Sequence, residues 1–133
     1  MQRRSKIMSD LLHFSKEDFQ SAAVLFREGI YNHACFHSQQ CVEKLFKACL
    51  SSHQMHFPKI HDLNELLQKC LQAGELSLLQ FGDEIAVLGL YYTSTRYPDA
   101  MIGSLPERLP NKKDAEEAIS TARKIYKHLT DKL

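Results

Sequence analysis

Residues 31–52, YNHACFHSQQCVEKLFKACLSS, restrict the fold more than any other part of the sequence. At 100° per residue, this segment has one broad apolar face and an opposite side that is mostly polar. The apolar face contains Ala34, Cys35, Cys41, Val42, Leu45, Phe46, Ala48 and Cys49. The opposite side contains Phe36, Gln39, Gln40, Glu43, Lys44 and Lys47. An apolar face of this width predicts a central helix that packs against more than one neighbouring helix.

Apolar residues recur at helical spacing in four other segments of the chain. The predicted helices cover residues 9–28, 62–73, 83–94 and 111–133, and residues 75–81 are predicted to form a helical turn. Ser15 and Asp18 have the spacing of a capping box, so the first helix begins either at Ser9 or at Ser15. Asp62 and Asn111 are residue types that favour the N-cap position of the helices that follow them.

No segment has an alternating strand pattern that competes with these helices. The sequence therefore predicts an all-α fold, an up-and-down antiparallel helical bundle of four main helices plus a shorter helix. Its 133 residues fit a single domain over residues 1–133, with a core over about residues 9–132.

Composition and charge exclude some classes of protein. The formal net charge of +1 predicts no whole-molecule attraction to nucleic acid. No apolar run is long enough to span a bilayer, and no apolar segment follows the basic N-terminal residues as in a signal peptide. Cys35, Cys41, Cys49 and Cys70 lack C-x-x-C spacing and fit reduced, buried side chains. These features predict a cytoplasmic protein that makes no membrane contact.

Three stretches together carry a resemblance to a known family. They are GIYNHACFHSQQCVEKLFKACL at residues 29–50, PKIHDLNELL at residues 58–67 and TSTRYPD at residues 93–99. The matching residues are Gly29, Tyr31, Ala34, Gln39, Gln40, Glu43, Lys44, Lys47, His61, Asp62, Leu63, Arg96, Tyr97 and Pro98. Over about residues 9–132, their order and spacing resemble the HEPN family, named for a nucleotide-binding domain of higher eukaryotes and prokaryotes.

This resemblance implies a helical bundle that usually forms a dimer and is often encoded beside a small nucleotidyltransferase. Many such pairs behave as a toxin and its antitoxin, and nucleotide binding has been suggested for other members. The implied partners are therefore a second copy of the chain, a small nucleotidyltransferase and a nucleotide, with RNA left open.

Toxin-type members of the family are metal-independent ribonucleases whose motif is an Arg, four to six residues and then a His. In such a motif the Arg stabilises charge on the scissile phosphate and the His exchanges protons. Arg96 lies in the expected region, but Met101, Ile102 and Gly103 occupy the positions where the His should follow. We therefore predict no catalytic residues.

Two other Arg–His pairs match only the bare spacing. Arg27 precedes His33 across the first interhelical turn, and Arg123 precedes His128 on the last helix. Both matches are interpreted as accidental, because seven histidines in one chain produce such spacings by chance. His61 beside Asp62 is a further catalytic candidate, but an N-cap at the third helix is the favoured interpretation.

Five residues are predicted to contact a nucleotide or phosphate: Gln40, Lys44, Lys47, Arg96 and Tyr97. The lysines would supply positive charge to one wall of such a site. The alternative is that Gln40, Glu43, Lys44 and Lys47 form a solvated helix face with a Glu43–Lys47 ion pair.

Arg96 and Tyr97 also have two interpretations, which both stay open. Pro98 forces Tyr97 out of helical conformation and so ends the fourth helix. In the structural interpretation, Tyr97 packs over the end of the bundle and Arg96 pairs with a carboxylate. In the functional one, Arg96 binds a phosphate and Tyr97 stacks on a base.

Histidines offer a weaker hypothesis of zinc binding. His53, His56 and His61 lie in one loop, and His33 with His37 has the i,i+4 spacing of a helical zinc site. No cysteine pair or acidic partner completes a recognisable motif. We therefore predict no metal, and no cofactor other than a nucleotide ligand.

The sequence as a whole favours a non-catalytic HEPN module. It would bind a nucleotide, a partner nucleotidyltransferase or both, within a two-component system of the toxin–antitoxin type. The alternatives are a divergent metal-independent RNase toxin and a purely structural adaptor for protein interactions.

Overall fold

A computed structural model describes residues 2–57, 59–92, 102–105 and 107–133, with side chains from residue 6 onward. These ranges contain five α-helices, one 3-10 helix and no strand. The α-helices are α1 Gln2–Arg27, α2 Tyr31–Ser52, α3 Leu63–Gln72, α4 Gly82–Gly89 and α5 Lys112–Thr130, and the 3-10 helix is Leu76–Phe81. The predicted all-α fold is confirmed. None of the helices in these ranges combines the length and the apolar character needed to cross a bilayer.

The central helix of the bundle is α2, as its wide apolar face predicts. It packs along α1, against α5 and against α3, and α1 also contacts α5. Leu45, Phe46 and Leu50 of α2 are fully buried and share one core cluster with Leu66 of α3 and Ile125 of α5. Because α2 is covered on several sides, little of its surface is exposed to solvent. Several of its polar side chains therefore contact other side chains of the protein.

Both predicted N-caps are confirmed. The Asp62 carboxylate accepts hydrogen bonds from the backbone N–H groups two and three residues later, at 2.9 and 3.3 Å. Asn111 forms a reciprocal capping box with Asp114: the backbone N–H of Asp114 donates to Asn111 Oδ1 at 3.0 Å, and the Asn111 N–H donates to Asp114 Oδ2 at 2.8 Å. These caps set the starts of α3 and α5.

The start of α1 differs from its prediction. This helix begins at Gln2, not at Ser9 or Ser15. Ser15 lies fully buried in its middle, where the hydroxyl donates to the backbone carbonyl of Cys41 at 2.9 Å. The predicted capping box was wrong because Ser15 and Asp18 both point at α2, where their polar groups find tertiary partners.

The end of α4 also differs. This helix stops at Gly89, and residues 90–92 form a turn of i to i+3 hydrogen bonds. Glycine is a weak helix former, and Tyr91 is drawn into the core, where it is 2% exposed. Tyr92, which falls inside the predicted helix over residues 83–94, lies in this turn over the ring of His61. The predicted continuation to Ser94 falls outside the described residues.

All four cysteines are buried free thiols, as expected for reduced core residues. Burial raises the pKa of Cys35 and of Cys41 to about 12. Both side chains are therefore neutral thiols at physiological pH and are poor nucleophiles.

Candidate functional site

The polar side of α2 is largely covered. Gln39 is fully buried and Glu43 is 4% exposed. The interpretation of Gln40, Glu43, Lys44 and Lys47 as a solvated helix face is therefore wrong for Glu43, which contacts His61 of the segment leading into α3. The predicted ion pair is present, with Lys47 Nζ 3.2 Å from Glu43 Oε2, and the Lys47 side chain is only 12% exposed.

Glu43 also holds a histidine from the α2–α3 connection. His61 Nδ1 lies 3.2 Å from Glu43 Oε1 and 3.3 Å from Oε2. A carboxylate only accepts, so Nδ1–H is the donor, and Nε2 is left as the ring nitrogen that can exchange a proton with a ligand. The amide of Gln39 donates to the His61 backbone carbonyl at 3.4 Å. The buried residues of α2 thus fix both the ring and the backbone of His61.

An aromatic pair completes this site. Tyr92 stacks on His61 with ring centroids 5.2 Å apart and an interplanar angle of 7°. The His61 side chain is 47% exposed, whereas the Glu43 side chain that braces it is 5% exposed. We call Gln39, Glu43, Lys47, His61 and Tyr92 the Glu43 cluster. Within the described residues, no donor reaches Gln39 Oε1, so this buried oxygen keeps its capacity to accept.

A second carboxylate, Asp18 of α1, binds two other side chains of α2. His37 Nδ1 lies 2.9 Å from Asp18 Oδ1, and Lys44 Nζ donates to Asp18 Oδ2. Burial alone would raise the pKa of Asp18, but the hydrogen bonds and charges of His37 and Lys44 outweigh it and hold that pKa below its ordinary value of 3.8. Lys44 therefore enters a part-buried ion pair between α1 and α2.

We expect this ion pair to make stability depend on acid. A carboxyl group whose pKa is lowered by folding stabilises the protein above its unfolded pKa and loses that contribution as pH falls through the folded value. Asp18→Asn should lower the free energy of unfolding by about 2 kcal/mol at neutral pH, and the difference from wild type should shrink below about pH 4. Urea unfolding at several pH values measures both.

Asp10→Asn is the matched control, because Asp10 forms an exposed i,i+4 pair with Lys6 and its side chain is 52% exposed. Exposed pairs of this kind contribute little, so this variant should change stability by less than about 0.5 kcal/mol. A constant deficit for Asp18→Asn from pH 7 to pH 3 would contradict the assignment.

Three of the candidate nucleotide ligands predicted from the sequence lie in the described part of the chain. Lys47 lies in the Glu43 cluster, Lys44 is held by Asp18, and Gln40 is half-buried on the same helix. Arg96 and Tyr97 lie outside the described residues. Their role in ligand binding stays a prediction. Sequence reasoning missed Tyr92 as a site residue and did not consider Glu43 as a partner of His61.

The histidines do not gather into the zinc sites considered from the sequence. His37 contacts Asp18, His61 contacts Glu43, and His53 Nε2 lies 2.9 Å from Glu75 Oε1. Three histidines thus bind three different carboxylates.

The Arg–His pair on α5 is also divided between separate partners. The Arg123 guanidinium lies 5.7 Å from the ring centroid of Phe19, and His128 Nε2 lies 2.8 Å from Ser77 Oγ. Arg123 and His128 therefore contact different residues and do not form one site.

A groove of about 480 Å³ between α4 and α5 is a less suitable site for an anionic ligand. Its lining contains five carboxylates, those of Asp83, Glu84, Asp114, Glu116 and Glu117. The lysine in this groove, Lys124, is paired with Glu84 at 3.2 Å. Phosphate would meet net repulsion here, so the Glu43 cluster is the better candidate.

Comparison with known proteins agrees with this architecture. The sequence profile of the HEPN domain matches residues 8–132. The chain is 29% identical over 125 residues to "Putative toxin MJ1304" of Methanocaldococcus jannaschii, an alignment that covers 88% of this chain and 82% of that protein.

Two crystal structures share the fold along nearly their whole length. ST0689, described as an archaeal HEPN homologue, has a TM-score of 0.69 and 29% identity, over 94% of this chain and 96% of its own. TT1696 from Thermus thermophilus has a TM-score of 0.74 and 28% identity, over 95% of this chain and 98% of its own. Because the profile spans all five helices from residue 8 and the bundle matches an archaeal homologue, the chain belongs to the HEPN family.

Proposed function

We propose that this protein is the HEPN component of a two-component system of the toxin–antitoxin type and that its Glu43 cluster binds a nucleotide. Family membership and the similarity to an archaeal protein named as a toxin support the first part. The observation that carries the second part is the parallel stack of half-buried Tyr92 on exposed His61, whose ring is hydrogen-bonded to buried Glu43.

The chemistry of this cluster suits a nucleotide. An aromatic face accepts a base by stacking, worth about 1–3 kcal/mol per base and nearly independent of which base it is. Lys47 supplies a cation beside the rings, and Glu43 offsets its charge. When His61 is protonated, the charges of Glu43, Lys47 and His61 sum to +1, which favours a phosphate.

Loss of the stacking ring should weaken nucleotide binding. We expect Tyr92→Leu to reduce the affinity for ATP or GTP by roughly tenfold, because Leu preserves apolar bulk but removes the face on which a base stacks. Isothermal titration calorimetry of the wild type and the variant measures this directly.

Tyr126→Leu is the control, since Tyr126 is also a half-buried tyrosine that stacks on an aromatic ring, that of Phe19, at 6.4 Å between α5 and α1. It should bind nucleotide like the wild type. Equal affinities for wild type, Tyr92→Leu and Tyr126→Leu would place the nucleotide site elsewhere in the protein.

The two-component part has its own test. Affinity purification from the native host at moderate salt, followed by mass spectrometry, should recover a small nucleotidyltransferase in stoichiometric amount. Recovery of the chain only as a homodimer, under conditions that preserve complexes, would contradict it.

A second candidate function, a divergent RNase toxin, is favoured by one observation: Glu43 orients an exposed imidazole. In such a reaction His61 Nε2 would take the proton of an RNA 2′-OH, the resulting oxygen would attack the adjacent phosphorus, and the P–O bond to the 5′ oxygen would break as that oxygen takes a proton from water. This geometry follows the general logic of a carboxylate that positions a catalytic histidine.

Growth on expression separates the two functions. An RNase toxin should arrest growth, and His61→Gln should abolish the arrest while leaving the amount of folded protein unchanged. His13→Gln is the matched control, because His13 forms an exposed pair with Glu17 at 3.7 Å. Normal growth with abundant wild-type protein would exclude the RNase and leave the nucleotide-binding module.

A further inference from the structure

Three different metal-ligating side chains meet at the C-terminal end of α2. Cys49 Sγ, a ring nitrogen of His53 and a carboxylate oxygen of Glu75 all lie within 4.8 Å of one another. Zinc bonds sulfur at about 2.3 Å and nitrogen or oxygen at about 2.0–2.2 Å, so neighbouring ligand atoms of a tetrahedral ion lie about 3.4–3.6 Å apart. The three atoms therefore need to move by roughly 1 Å at most to share an ion. No other such trio occurs in the described part of the chain.

The fold brings these ligands together from different elements. Cys49 and His53 are four residues apart, in the last turn of α2 and at its C-cap. Glu75 is the N-cap of the 3-10 helix, 22 positions further along. Gly74 places it there: Gly74 has φ +108°, and the N–H groups of Gly74 and Glu75 donate to the carbonyls of Leu71 and Cys70 in a Schellman turn.

The surroundings of the trio suit a cation. Cys49 is fully buried, whereas His53 and Glu75 have side chains 33% and 15% exposed and so leave an entry from the surface. The carbonyl end of α2 adds the negative pole of the helix dipole. Cys70 lies in hydrogen-bond contact with Cys49, and its thiol donates to the Phe46 carbonyl at 3.6 Å. Cys70 is therefore a hydrogen-bonding neighbour of the Cys49 sulfur.

One cation already contacts the trio. Lys132 Nζ lies 3.2 Å from Glu75 Oε2 and 3.0 Å from Ser77 Oγ. It uses the oxygen of Glu75 that does not face His53, so Oε1 stays directed at the trio. With Cys49 as thiolate and Glu75 ionised, the two negative charges exceed the single charge of Lys132.

We propose that Cys49, His53 and Glu75 bind a divalent cation of the zinc type. Sulfur, imidazole nitrogen and carboxylate oxygen are the ligand atoms that zinc takes in tetrahedral sites, and three protein ligands leave the fourth position for water or another ligand. The site is distinct from the Glu43 cluster in every residue. Because its ligands lie on α2 and on the segment after α3, the ion would tie these two elements together.

Cobalt(II) is the probe that tests the site, since it takes the place of zinc and is coloured. Added to reduced, metal-free protein, one equivalent should give a thiolate-to-cobalt charge-transfer band and the strong visible bands of four-coordinate cobalt, and zinc should displace it. Zinc should also raise the melting temperature. A cobalt spectrum without the thiolate band, or no saturable binding, would overturn the proposal.

Variants assign the ligands. His53→Gln, at a partly exposed position, should lower cobalt affinity by roughly tenfold or more, because even the loss of an outer-sphere partner costs that much. Cys49→Ser should abolish the thiolate band. Cys35→Ser, which removes a buried thiol that contacts Tyr91 instead of a histidine, should retain both band and affinity. Unchanged binding by His53→Gln would overturn the assignment even if Cys49→Ser fails to fold.

Discussion

Replacing Lys47 with methionine should lower the free energy of unfolding by about 3 kcal/mol. Methionine preserves the length and apolar stem of the side chain but removes the charge. The Glu43 carboxylate, 5% exposed, would then keep only its hydrogen bond with His61 Nδ1. Removing one member of a buried ion pair is costly because the remaining charge stays buried without compensation. Urea unfolding at neutral pH measures the change.

A double variant separates this cause from lost packing. Glu43→Gln combined with Lys47→Met removes both charges and keeps a side-chain oxygen facing His61, so stability should return to within about 1 kcal/mol of wild type. Lys6→Met is the surface control: Lys6 is paired with Asp10, and its side chain is 77% exposed. If the double variant is less stable than Lys47→Met alone, the buried charge is not the cause.

Gly103→Ala should also destabilise the protein, by about 3 kcal/mol. Gly103 is buried, with φ +72°, a conformation that residues with a side chain adopt only with strain. A Cβ atom at this position would lie 1.8 Å from the backbone oxygen of Asn32, in the first turn of α2. The segment would have to move away and break the hydrogen bond from Asn32 Nδ2 to the Ile102 carbonyl, 2.9 Å long. Thermal and urea unfolding measure the loss.

The same substitution at Gly82 provides the control. Gly82 has φ −54°, and nothing lies within 4 Å of a Cβ atom built on it. Gly82→Ala should therefore be neutral or stabilise by up to about 1 kcal/mol, because alanine restricts the unfolded chain. Equal stability of the two variants would show that Gly103 tolerates a side chain and that the contact with Asn32 is not tight.

The parts of the fold that follow from local patterns were predictable. The bounds predicted for α2 coincide with those observed, because a wide apolar face and the flanking turn at Gly29 define the helix within its own sequence. Asp62 and Asn111 were likewise recognisable as N-caps from residue type alone. The end of α4 was not predictable, since it depends on where Tyr91 packs in the assembled core.

The candidate site was predictable only in part, because it too depends on contacts that form in the assembled core. A helical wheel places Gln39 and Glu43 on the polar side of α2, and it contains no information on the segment that buries them. Glu43 and His61 are 18 positions apart, so their contact arises from tertiary structure. Both residues nevertheless carry the resemblance to the HEPN family, whereas Tyr92 had no signal in the sequence that distinguished it from a core tyrosine.

The paired lysines also change what the site can do. Lys44 and Lys47 were predicted to supply positive charge to a phosphate, with a Glu43–Lys47 ion pair as the alternative, and each lysine is paired with a carboxylate in the structure. The stripe therefore offers less net charge than its sequence indicates. An aromatic pair with one nearby cation favours a ligand that has a base as well as a phosphate, which is why the proposal is a nucleotide and not inorganic phosphate.

Nuclear magnetic resonance of the histidine and tyrosine rings tests this central proposal most directly. Adding ATP to protein with labelled rings should shift the signals of His61 and Tyr92 along one saturating curve, because a stacked base changes the magnetic field at both rings. The signals of His53 and Tyr126, outside the cluster, should stay in place. Shifts confined to rings other than His61 and Tyr92, or no saturable shift at all, would contradict a nucleotide site at the Glu43 cluster.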